Sequence, residues 1–101
     1  MGFYLFSVLV TFSMDSINDI TNIYYYDSPV GRFTIKFLSG TRQWILTIEN
    51  HICGMYDEPT QAAVDVYRQT TSYIEWDSYN IRYVTSETPT DIHQWEYQKV
   101  E

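Results

Sequence analysis

The chain contains one cysteine, Cys53, in 101 residues. That excludes an intrachain disulfide, and the expected setting is a reducing, cytoplasmic compartment. Its apolar strand context predicts a buried, inert thiol. With only two histidines, His51 and His93, no Ser–His–acid or Cys–His constellation can be nominated. Four scattered glycines form no phosphate-cradling loop. Basic residues are few, six against thirteen acidic ones for a net charge of −7. Nucleic-acid phosphates and anionic membrane surfaces therefore repel the chain as a whole. Long hydrophobic runs are missing as well. Residues 2–14 are uncharged and largely apolar, but a bilayer span needs about 20 such residues. No Lys or Arg precedes this stretch and no small-x-small site follows it, so it fits a signal peptide poorly.

What the chain has in quantity is aromatic surface, 18% of residues including ten tyrosines. Tyrosine joins a large apolar ring to a polar tip, which suits sheet faces and protein-binding surfaces. The length suits one domain with a modest core, and there is no internal repeat or low-complexity tract. Charge is unevenly spread. Residues 1–31 carry Asp15, Asp19 and Asp27, residues 32–50 carry Arg32, Lys36 and Arg42 against Glu49, and the remainder is strongly acidic. Attraction for an anion would have to come from the middle segment.

In chain order, the β-branched and aromatic content of residues 2–14 favours a strand or an apolar arm packed on the domain. Met14 offers an alternative start. Residues 15–22 are polar, with Asn and Asp spaced as in turns, and read as a linker or short helical turn. Residues 1–22 are thus expected to be an arm and linker, and 23–101 a single domain. Ile23-Tyr24-Tyr25-Tyr26 reads as the approach to a strand, and Asp27 to Gly31 as a corner. Arg32 to Leu38 alternates, Phe33, Ile35 and Phe37 opposite Arg32, Thr34 and Lys36. After the loop Ser39-Gly40-Thr41-Arg42, Gln43 to Glu49 alternates again, with Trp44, Leu46 and Ile48 opposite Ile45 and Thr47. A turn at Asn50-His51 leads to a third strand, Ile52 to Tyr56.

Gly54 to Thr70 is the clearest signal. Asp57 and Glu58 offer acidic oxygens to the first free helical N–H groups, and Pro59 suits the first turn. Ala62, Ala63, Val66, Tyr67 and Thr70 then share one face, and Ile74 continues it. Val64, Asp65, Arg68 and Gln69 form the solvated side, where Gln69→Leu should cost little. Trp76 would close the bottom of the core. Ile81 to Thr85 reads as a short strand, and Pro89-Thr90-Asp91 as the start of a short terminal helix containing Ile92, Trp95 and Lys99. The predicted fold is α+β: a three-stranded antiparallel sheet packed on one main helix, with a short C-terminal helix and an apolar N-terminal strand or arm. Ala62, Ala63, Val66 and Tyr67 should bury against Phe33, Ile35, Phe37, Trp44, Leu46 and Ile48.

The segments Trp44 to Ile48, Gly54-Met55-Tyr56, Pro59 to Tyr67 and Glu75-Trp76-Asp77 resemble a set of small uncharacterised bacterial and phage proteins. These share Trp-x-Leu-x-Ile, Gly-x-Tyr, Pro-x-x-Ala-Ala-x-Asp-Val and Trp-Asp, over about residues 24–97. The resemblance implies the fold and carries no activity. More distantly, three strands followed by Gly-x-Tyr-Asp-x-Pro-x-x-Ala-Ala resemble the plant ethylene-response-factor DNA-binding domain. That family reads the major groove with Arg and Trp from its sheet; the matching face here offers only Arg32 and Lys36, with Arg42 at the loop.

His51, Cys53 and His93 sketch an incomplete zinc set, since a structural site needs about four ligands. An exposed turn histidine and a buried thiol account for them better, and neither metal nor cofactor is implied. The carboxylate pairs Asp57/Glu58 and Glu75/Asp77 are explained by a helix start and a polar turn, which points away from an enzyme. The expected function is a small acidic protein-binding module for a partner with a basic surface. Its candidate contacts are Asp65, Arg68, Tyr73, Glu75 and Asp77. Many phage inhibitors, including anti-CRISPR proteins, are acidic single domains of this size, which suggests an inhibitor of host nucleic-acid-handling machinery. Simple solubility explains the charge equally well. The alternative is weak nucleic-acid binding through Arg32, Lys36 and Arg42.

Overall fold

The computed structural model describes residues 22–99. The expected N-terminal arm and all of its linker except Asn22 lie outside the described residues. Strands β1 (Asn22–Ser28), β2 (Gly31–Leu38), β3 (Gln43–Ile48) and β4 (His51–Tyr56) lead into helix α1 (Pro59–Arg68). Short helices α2 (Ile74–Asp77) and α3 (Ile81–Glu87), a 3-10 turn (Ile92–Gln94) and strand β5 (Glu96–Lys99) follow. The sheet is antiparallel, in the order β4-β3-β2-β1-β5. The α+β class is as expected, but the described residues form five strands instead of three. No helix among the described residues is long and apolar enough to cross a membrane.

The two extra strands have one cause. Ile23-Tyr24-Tyr25-Tyr26 is the heart of a seven-residue strand paired with β2. Its other edge needs backbone partners, and the chain end supplies them. The expected terminal helix therefore stops after the 3-10 turn, and β5 aligns Tyr97 with Tyr24, their rings 5.0 Å apart. The spacing of Ile92 and Trp95, both buried, suits either conformation; pairing with β1 decides it. The Ile81 to Thr85 strand is likewise corrected to helix α3. Asn80 accepts from the Arg82 N–H at 2.8 Å, capping the first turn, and Val84 is buried.

The predicted alternation in β2 and β3 holds. Phe33, Ile35, Leu46 and Ile48 are fully buried in one core with Ala62, Ala63 and Val66. Phe37, Trp44 and Tyr67 are only partly buried and Thr70 is exposed. Helix α1 packs chiefly on β3 and β4. Trp76 covers the other half, its ring edge-on to Phe33 at 5.4 Å and to Tyr26 at 6.4 Å. Ile74 does not continue the α1 face: it belongs to α2 and is 76% exposed. The break comes at Gln69, which adopts left-handed φ 59° and ψ 46°. Its N–H bonds the Val66 carbonyl at 3.2 Å and the Thr70 N–H bonds that of Asp65 at 3.0 Å. This pattern terminates helices and usually has glycine where Gln69 stands.

Gln69 is therefore misplaced by the helical wheel. Its Nε2 donates to the Trp76 carbonyl at 2.7 Å and the Tyr79 carbonyl at 2.9 Å. These bonds tie α2 back onto the end of α1. The expectation that Gln69→Leu costs little is reversed.

Candidate protein-binding groove

Where β4 turns into α1, the chain leaves an open groove of about 500 Å³. Gln43 of β3, Met55 and Tyr56 of β4, Asp57 at the corner, and Thr60, Gln61, Val64 and Asp65 of α1 line it. Strand alternation turns Met55 away from the core, in register with Ile45. The helical period leaves Val64 on the outer side of α1. The two side chains are 42% and 38% exposed, so the apolar part of the lining is accessible.

Asp57 is not the helix cap that its position suggested. It accepts from Gln43 Nε2 at 3.4 Å, bridging the corner to β3. Gln61 instead turns back to accept from the Glu58 N–H at 3.3 Å. Asp65 accepts from the Tyr56 hydroxyl at 2.7 Å and from Thr70 Oγ1 at 3.0 Å. Burial, then the Asp65 hydrogen bond and charge, push the Tyr56 phenol pKa well above its ordinary value. The lining thus joins two carboxylates to an apolar strip and includes no cation. It can receive a long cationic side chain, the stem along Met55 and Val64 and the head at the carboxylates.

Of the five residues expected at a protein interface, only Asp65 lines this groove. Arg68 and Glu75 are exposed. Tyr73 is half-buried, its ring 5.4 Å from that of His51. Asp77 is an internal tie: Oδ1 accepts from the Thr71 N–H at 2.9 Å and hydroxyl at 2.7 Å, and Oδ2 from the Ser72 N–H at 2.8 Å. The sequence reading missed Gln43, Met55, Tyr56, Asp57, Thr60, Gln61 and Val64 as a group. Val64, apolar on an otherwise polar helix side, was the available signal.

Arg32 donates from Nε and a terminal nitrogen to the two oxygens of Asp27, at 2.6 and 3.0 Å. Its guanidinium lies 4.2 Å from the centre of the Tyr25 ring. The hydrogen bond holds the Asp27 carboxyl below its usual range. Lys36 is half-buried on the same sheet face, and Arg42 is exposed in the β2–β3 loop.

Cys53 is the extra residue of a β-bulge, since Leu46 pairs with Gly54 and Thr47 with Ile52. Burial, reinforced by the Asp77 charge, pushes its thiol up to about 11, opposite to what a reactive cysteine needs. His51 lies 3.3 Å from the Ser72 hydroxyl, and His93 Nδ1 lies 2.9 Å from Asp91. Among the described residues, no three His, Cys, Asp or Glu side chains gather as a metal-binding group.

Compared with models of protein families, with curated proteins and with solved structures, the chain matches none of them.

Proposed function

We propose that the chain is a small acidic, non-enzymatic module that docks on a basic protein surface through the β4–α1 groove. The observation that carries this reading is the lining itself. Two carboxylates flank exposed Met55 and Val64, with no cation among them. The net charge of −7 favours encounter with a basic partner. Asp65 remains from the expected contacts, with exposed Arg68 and Glu75 at the periphery; Asp77 is withdrawn because all its bonds are internal. A cytoplasmic setting, supported by the lone Cys53, belongs to the same reading. So does the narrower form, a phage or mobile-element inhibitor of nucleic-acid-handling machinery, for which size and charge are the support.

The alternative, nucleic-acid binding through Arg32, Lys36 and Arg42, has less behind it. Closure of Arg32 onto Asp27 leaves two cations for phosphates, implying a shallow salt dependence, about −0.9 per contact on duplex DNA.

Two measurements separate the readings. Immobilised full-length chain should recover a basic protein from the source cell at low salt. The same bait with Asp57→Lys and Val64→Lys should lose it. A partner retained by that variant places docking elsewhere, and a wild-type bait that recovers nothing counts against the module reading. Duplex shifted at low salt, and released by Lys36→Glu with Arg42→Glu, would favour the alternative.

A further inference from the structure

The helices cover one face of the sheet, and the register of the strands exposes a pattern on the other. Ile23 pairs with Lys36, Lys36 with Ile45, and Ile45 with Met55. Directly paired residues share a face, so these four side chains form one row across four strands. The Lys36 stem bridges its apolar neighbours. Tyr25 and Ile52 occupy the next row, connected through the Thr34–Thr47 pair. Ile52 and Met55 are 61% and 42% exposed.

We infer that the apolar stretch within residues 2–14 of this same chain packs along that row, on the sheet face opposite the helices. The stretch contains no charged residue and nine large apolar ones: Phe3, Tyr4, Leu5, Phe6, Val8, Leu9, Val10, Phe12 and Met14. Leaving it in water would forgo burial that any apolar surface within reach provides. The helix-side core is already filled by Val66, Trp76, Val84, Ile92 and Trp95, so that face has no room for it.

Geometry places the stretch at the open face. The chain enters the domain at Asn22, the residue before Ile23, where the apolar row begins. Residues 15–21 form the tether, and seven extended residues reach at most about 25 Å. Five strands at their usual spacing are about 19 Å across. The tether can therefore deliver the stretch to any part of the row. Its two charges, Asp15 and Asp19, are opposite in sign to Lys36, which forms no ion pair among the described residues. The row and the β4–α1 groove share Met55; the inference rests on the strand register and not on the groove reading, and its test uses no partner.

The test uses the full-length chain under limited chymotrypsin digestion, with cleavage sites assigned by mass spectrometry. Phe3, Tyr4, Leu5, Phe6 and Phe12 provide sites within the stretch. In the wild type they should be protected, and Ile45→Lys should speed cleavage there about tenfold, because cleavage follows the population of the undocked state. Near-UV circular dichroism confirms that the variant keeps its fold. A second variant, Leu9→Asp, leaves the described domain unaltered. Its methyl NMR spectrum should show shifts at Ile23, Ile45 and Met55, with Leu46 and Val66 unmoved. Unchanged cleavage in a folded Ile45→Lys chain overturns the inference, as do shifts confined to the helix side or absent altogether. Protection that rises with protein concentration, alongside a doubled mass in light scattering, would make a second copy the occupant. Protection seen only with lipid vesicles would make it a bilayer. Either outcome also overturns the inference.

Discussion

Gln69 and Trp76 hold each other across the end of α1. The Gln69 side chain donates to the Trp76 carbonyl at 2.7 Å. The Trp76 indole donates at 2.7 Å to the Val66 carbonyl, which also accepts the Gln69 N–H at 3.2 Å. One helix end and the fully buried Trp76 ring are thereby fixed by the same few bonds. A left-handed glutamine, which glycine would replace without strain, is retained where its amide can reach two carbonyls.

Gln69→Leu should accordingly lower stability by about 1–3 kcal/mol, since it removes the amide bond to the Tyr79 carbonyl and leaves the Trp76 carbonyl with the Tyr79 N–H alone. Gln69→Gly should cost less, because relief at the left-handed backbone offsets part of the loss. Urea melts of the two variants check the order. Equal losses would mean that the side-chain bonds contribute little.

Ala63→Leu should cost about 1–3 kcal/mol by overpacking. Ala63 is 1% exposed among Leu46, Ile48 and Val66, leaving no space for three more carbons. The check is the urea midpoint relative to Val64→Leu, whose position opens onto the groove and should tolerate the change.

Asp77→Asn should destabilise by about 1–3 kcal/mol, because one of its two terminal groups can no longer accept the Thr71 or Ser72 bonds. Glu75→Gln, at an exposed neighbour, should stay within about 0.5 kcal/mol. If partner binding were measured, Asp77→Asn should act through stability alone, and affinity per folded molecule should be unchanged.

Stability should fall as pH rises from about 9 to about 12. Burial raises Tyr26 from 10.0 to about 12 and Cys53 from 9.0 to about 11, and Tyr56 is raised for the same first reason. A raised pKa means that the folded state holds its proton longer than the unfolded one. The contribution is therefore complete below the unfolded pKa and lost as pH climbs through the folded value. Melts at pH 8 to 11 should show the decline, and Tyr56→Phe should flatten it. A pH-independent midpoint across that range would contradict the assignment.

Residue order alone determined the local periodicities. The period-2 runs around Phe33-Ile35 and Trp44-Leu46-Ile48, and the 3.6-residue period of Ala62, Ala63 and Val66, each define one apolar face. A face is a property of neighbours in the chain, so it is legible without knowing what lies opposite. Trp76 as the closing core residue was legible for a related reason, being a large apolar ring directly after the helix. The segments Ile81–Glu87 and Ile92–Lys99 were not legible, because their apolar spacing suits helix and strand alike. There the tertiary structure decided. The Asn80 cap and burial of Val84 selected a helix, while the open edge of β1 selected a strand.

The groove lies further still from sequence. Gln43, Met55, Asp57 and Val64 come from two strands, a corner and a helix, and no local pattern relates them. Asp57 and Asp77 had complete local explanations, as cap and turn, yet Asp57 bonds Gln43, which only folding brings within reach, and Asp77 reaches back to tie down Thr71 and Ser72. Periodicity assigned Gln69 to solvent because it assumes that the helix continues. The left-handed turn at that residue ends the helix and redirects its amide inward, and the reason for the turn, the carbonyls of Trp76 and Tyr79, exists only once α2 has docked.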